Sequence, residues 1–82
     1  MSSKYNSIEW GTFSHRGQVQ VLSDDIEPIW LDIEFRDLKK TDRFRIMKDI
    51  YPTVLNDKGE TIGKCITDAF LSENGIWLVD IE

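Results

Sequence analysis

Leu71-Ser72-Glu73-Asn74-Gly75-Ile76-Trp77-Leu78-Val79-Asp80-Ile81-Glu82 is the stretch that decides the fold. An Asn-Gly pair stands between two apolar runs, and the pair supplies the positive φ angles that a two-residue type I′ hairpin demands. Extended upstream to Ala69, that register sets Phe70 opposite Val79 and Leu71 opposite Leu78. Both faces of the strand pair are then apolar, so each needs cover, as in a small barrel or beneath a loop or a second molecule. Phe70, Leu71, Trp77 and Val79 are the core residues this hairpin predicts. Nothing in it points to chemistry.

Working outward, Thr53-Val54-Leu55 and Glu60–Ile66 flank Asn56-Asp57-Lys58-Gly59, a turn signal with Gly59 available for the left-handed position of a bulged loop. Farther upstream, Ile29, Leu31, Ile33 and Phe35 alternate with Trp30, Asp32 and Glu34, which predicts a strand with its apolar face inward. Pro28 cannot donate to a ladder and belongs at the start of that strand, after a turn or loop at Ser23-Asp24-Asp25. Ile8-Glu9-Trp10 and Gln18-Val19-Gln20-Val21-Leu22, joined through Ser14-His15-Arg16-Gly17, predict a first hairpin over 8–22. Residues 1–7 are polar and predict a frayed terminus. Residues 37–51 fit two patterns. Leu38, Thr41, Phe44, Met47 and Tyr51 approximate a helical stripe with Asp37 as N-cap and Pro52 beyond its end. A turn at 38–42 and a strand over 43–48, with Phe44 and Ile46 inward, fit equally well.

The run Phe35-Arg36-Asp37-Leu38-Lys39-Lys40-Thr41-Asp42-Arg43-Phe44-Arg45-Ile46, followed by Ala69-Phe70-Leu71-Ser72-Glu73-Asn74-Gly75-Ile76-Trp77, resembles a pattern found in small uncharacterised β-barrel proteins of phages and prophages. That pattern has a Phe, an Asp-Leu-Lys-Lys-Gly-Asp turn, an aromatic-bearing strand, an Ala-aromatic/Leu strand and a Gly-aliphatic-Trp strand. The resemblance covers residues 33–82 and implies a strand at 43–48 and an SH3-like topology. It carries no catalytic residues. Thr41 stands where the pattern has Gly, and residues 1–30 lie outside it.

Length and composition narrow the functions. Eighty-two residues form one domain with one modest core, burying somewhat over ~60% of the unfolded surface, and leave no room for a deep substrate cavity. Cys65 is the sole cysteine, so neither an intramolecular disulfide nor a Cys-rich zinc site is available, which fits a reducing cytoplasm. The first residues lack the apolar core of a secretory signal, and no apolar run approaches the ~20 residues of a membrane span. A cytoplasmic protein is the expectation, that of the bacterial host if the chain is phage-derived. The formal charge of −5 is segregated: Asp24, Asp25, Glu27, Asp32 and Glu34 precede Arg36, Lys39, Lys40, Arg43, Arg45 and Lys48, and Thr67–Glu82 contains no Lys or Arg. Either the chain presents faces of opposite sign, or neighbouring strands pair their charges across a sheet.

Individual residues argue mainly against catalysis. His15 lies in a polar loop without a group to orient it. Asp32 and Glu34 are what any solvent-facing strand displays, and Asn56–Glu60 lacks the alternating ligands of a calcium loop. Cys65 has no activating neighbour in sequence, and Gly59 and Gly63 belong to no phosphate-binding motif. No metal or cofactor site is expected. The basic cluster near Phe44 and Tyr51 is the pattern with which small barrels grip single strands, yet a pI near 4.7 argues for a protein partner. Trp10, Trp30 and Trp77 cannot all be interior in so small a domain. Trp30, on the polar face of its strand, is either an interface anchor or a cap on the barrel end.

These features predict an all-β domain spanning 1–82, a small SH3-like barrel or strongly bent antiparallel sheet of five to seven strands. The expected function is non-enzymatic, an accessory protein of phage or mobile-element type that binds a protein partner or self-associates. The alternative is a nucleic-acid-contacting module using the cluster at 36–48. Trp30, Arg36, Lys39, Lys40, Arg43 and Arg45 are the candidate partner-binding residues.

Overall fold

A computed structural model describes residues 6–10 and 17–82. The protein is all-β: β1 (Asn6–Glu9), β2 (Gln18–Leu22), β3 (Trp30–Ile33), β4 (Arg43–Lys48), β5 (Tyr51–Pro52), β6 (Gly63–Lys64), β7 (Phe70–Leu71) and β8 (Trp77–Ile81), with one 3-10 turn at Phe35–Asp37. Two antiparallel sheets form, one in the order β1-β8-β7 and one in the order β3-β2-β4-β5, where β6 also pairs with β4. Both sheets feed a single core of Ile8, Val19, Phe35, Leu38, Phe44, Ile46, Leu55, Cys65, Val79 and Ile81. The eight strands among the described residues exceed the expected five to seven because three of them are only two residues long. Among the described residues no helix is long and apolar enough to cross a membrane.

Residues 43–48 form a strand, and the helix over 37–51 does not. Phe44 and Ile46 are fully buried and stand opposite Val21 and Val19 of β2, while Arg43, Arg45 and Met47 take the other face. Cross-strand partners settle what periodicity left tied. The turn before β4 closes with Asp42 N–H donating to Lys39 O (3.0 Å), and Thr41 within it has φ +79°. Four further bonds fasten this turn to the chain at 65–69: Thr41 N–H to Cys65 O, Cys65 N–H to Asp42 O, Ala69 N–H to Leu38 O, and Lys40 N–H to Asp68 Oδ1. A β-branched residue holds the left-handed region only where its surroundings over-determine it.

Several expectations are corrected. β1 and β2 do not pair as a hairpin: β1 pairs with β8, where Ile8 meets Val79, and β2 lies between β3 and β4. Period-two alternation tells which residues share a face and not which strand lies alongside. The presumed turn there, with His15, lies outside the described residues apart from Gly17. A Cβ at Gly17, whose φ is +139°, would lie 2.2 Å from Met47 O, so this close approach admits only glycine.

The Asn74-Gly75 connection has three residues, not two. Ser72 N–H donates to Ile76 O and Gly75 N–H to Ser72 O, and of the pair only Gly75 has positive φ. Ser72 Oγ accepts the Ile76 N–H at 3.1 Å, a local bond that favours the longer, bulged loop. The register moves by one, so Phe70 pairs with Leu78 and Leu71 with Trp77. Val79 is buried and Trp77 packs partly against the core, but Phe70 and Leu71 are 41% and 56% exposed and do not belong to it.

The bulged loop at Asn56–Gly59 is present, with Gly59 at φ +78° and Asn56 Oδ1 accepting the N–H groups of Lys58 and Glu60. Its flanks meet at the loop, where Leu55 N–H donates to Glu60 O at 2.7 Å, and beyond it both turn to β4: Thr53 N–H donates to Ile46 O, and Gly63 stands opposite Phe44. The strand expected over 29–35 shortens to Trp30–Ile33, because Phe35 turns into the core and stacks on Trp10 with centroids 5.3 Å apart. Ile29 and Leu31, expected inward, are 52% and 45% exposed.

Candidate interaction surfaces

The outer face of β2, β3 and β4 holds a row of polar side chains in register, Asp32 opposite Gln20 and Gln20 opposite Arg45. Arg45 Nε donates to Gln20 Oε1 at 2.9 Å, and Gln20 Nε2 donates to Asp32 Oδ1 at 2.8 Å. The Arg45 guanidinium lies 4.2 Å from the Trp30 ring centroid, a cation–π contact. Trp30 is therefore half-buried beneath an arginine that a bridging amide holds in place.

The candidate partner-binding residues do not gather into one patch. Trp30 and Arg45 touch. Arg43 stands opposite Lys64 of β6, a like-charged pair that costs the sheet some stability. Lys39 and Lys40 sit exposed on the turn before β4, and Arg36, on the 3-10 turn, lines a small cleft with Trp10, Glu34 and Trp77. A wider groove, about 400 Å³, runs between the β2–β3 loop and the turn before β4, with Asp24 and Asp25 on one wall and Arg43 and Lys64 on the other. Its mixed sign suits neither an anion nor a cation.

A second surface was not singled out in the sequence. Ser23 N–H donates to Ile29 O, and Ile29 N–H donates to Ser23 Oγ, so the β2–β3 loop is pinned at its base. Its tip lifts Ile26 fully into solvent between Asp25 and Glu27. Beyond it β3 ends its sheet among the described strands, with Ile29 and Leu31 exposed. Pro28, a residue of strand edges, was the available signal.

Cys65 is buried, and its thiol is pushed up to about 12, first by desolvation and then by the carboxylates of Asp42 and Asp68. A thiol so placed stays protonated and is a poor nucleophile. Among the described residues no three His, Cys, Asp or Glu side chains cluster as metal ligands. No protein-family model matches the chain, and no curated protein or solved structure does.

Proposed function

We propose that this protein is a non-enzymatic interaction module, an accessory protein of phage or mobile-element type acting in the bacterial cytoplasm, which binds a protein partner or a second copy of itself. The observation that carries this reading is β3, a sheet-ending strand flanked by exposed Ile26, Ile29 and Leu31. Strands that end sheets are templates for pairing with another chain, and natural proteins usually blunt them. Exposed Phe70 and Leu71 on β7, which ends the other sheet, add to it. The resemblance of residues 33–82 to small phage proteins supports the phage-type origin and an SH3-like description of the two sheets.

Arg43, Arg45 and Lys64 on one sheet face favour a second reading, a nucleic-acid contact. Two features oppose it. Arg45 already occupies a face of the Trp30 ring, and the carboxylates of the β2–β3 hairpin stand alongside. Immobilised protein incubated with bacterial lysate, with and without nuclease, separates the readings. Retention of the same protein bands under both conditions is expected; retention of nucleic acid alone would overturn the proposal.

A further inference from the structure

Residues 17–35 contain Asp24, Asp25, Glu27, Asp32 and Glu34 and neither Lys nor Arg, so this one hairpin matches the chain's entire formal charge of −5. Successive residues of a strand turn their backbone groups to opposite edges. Ile29 bonds to Ser23, and Ile33 O accepts from Gln18 Nε2, so the odd-numbered residues face β2. The amides and carbonyls of Trp30 and Asp32 therefore face the outer edge. Among the described residues neither Lys nor a bulge guards that edge, and its proline, Pro28, precedes the strand.

The charge decides what fits there. Two β3 strands paired antiparallel about a two-fold axis would bring the acidic loop before β3 of one copy toward Asp32 and Glu34 at the end of the other, a like-charged approach that opposes self-pairing. A strand with cations on one face and apolar residues on the other meets no such penalty. We propose that β3 is the docking edge for a Lys- or Arg-bearing extended segment of a partner protein, an inference that rests on the module reading above. The segment adds as a further strand. Its main chain bonds to Trp30 and Asp32, its apolar side chains lie on Ile29 and Leu31, and its cations face Asp32, Glu34 and the acidic loop.

The probe is a short peptide of alternating Lys and Val, with an alternating Glu and Val peptide as control, titrated into ¹⁵N-labelled protein. The Lys–Val peptide is expected to shift the amides of residues 29–33 and slow exchange at Trp30 and Asp32, while the control does neither. Asp32→Lys and, separately on the loop, Glu27→Lys should each weaken binding about tenfold, equivalent to about 1.4 kcal/mol, with spectra that remain dispersed. Equal response to both peptides, shifts centred elsewhere, or no response overturns the inference. So do β3 shifts that follow protein concentration without peptide, which would identify a second copy as the occupant. A protein partner retained from nuclease-treated lysate by a molecule that ignores the Lys–Val peptide contradicts this edge assignment alone and leaves the module reading standing.

Discussion

At Thr41 the chain places a β-branched side chain at φ +79°, a conformation that costs such a residue on the order of 1–3 kcal/mol. The sequence marked the position, since the phage-protein pattern has Gly there, but could not tell whether the turn had changed shape or kept it under strain. The bonds from Thr41 N–H to Cys65 O and from Cys65 N–H to Asp42 O hold the turn in this conformation. Thr41→Gly should raise stability by about 1 kcal/mol, because relief of strain exceeds the added freedom of the unfolded chain. Urea unfolding checks this, and a lower midpoint for the variant would contradict it. Cys65 offers a pH-dependent counterpart. Its thiol titrates near 9.0 when unfolded and is pushed up to about 12 when folded, so the unfolded chain loses its proton first. The stability this thiol contributes is complete below pH 9 and declines as the pH rises from there toward 12. The difference in unfolding free energy between wild type and Cys65→Val should shrink over that window. A constant difference would show that the thiol does not titrate as its burial requires.

Among the elements, those bounded by strong local chemistry were the ones legible beforehand. Gly59 and Asn56 specify their loop through bonds internal to four or five residues, whereas the alternation of Phe44 and Ile46, which belongs to a strand, was matched by a helical stripe over the same residues. Pairing was not legible, because the sequence of a strand does not name its neighbour. Hence β1 went to β8 and not to β2. The last hairpin shows how place in a sheet decides burial: Phe70 and Leu71 point to opposite faces, and both are exposed on β7, which ends its sheet among the described strands. Leu71→Ser should therefore change stability by less than about 0.5 kcal/mol, whereas Val79→Ala, at a fully buried position, should cost about 2 kcal/mol. Thermal unfolding of the two variants measures this directly. Comparable losses at both positions would place Leu71 in the core and contradict its exposure.

Over the whole molecule, charge and edge exposure coincide. The acidic hairpin ends one sheet, while the basic residues spread from the 3-10 turn through β4 to Lys64. The sequence displayed both blocks of charge. It did not show that the basic block would be divided among a turn, a sheet face and a cleft, nor that Trp30 would lie under Arg45, because cross-strand neighbours depend on pairing. A nucleic-acid module contacting six or more phosphates would lose about 10³-fold or more in affinity between 50 and 200 mM salt. A strand added at β3 keeps its main-chain bonds and loses only part of its charge attraction. The most direct measurement compares partner capture from nuclease-treated lysate by wild type, by Leu31→Lys, and by a variant carrying Lys39→Glu, Lys40→Glu and Arg43→Glu. Binding through β3 predicts that Leu31→Lys abolishes capture and that the triple charge reversal leaves it within about threefold of wild type; capture that survives Leu31→Lys and disappears with the charge reversal would contradict it.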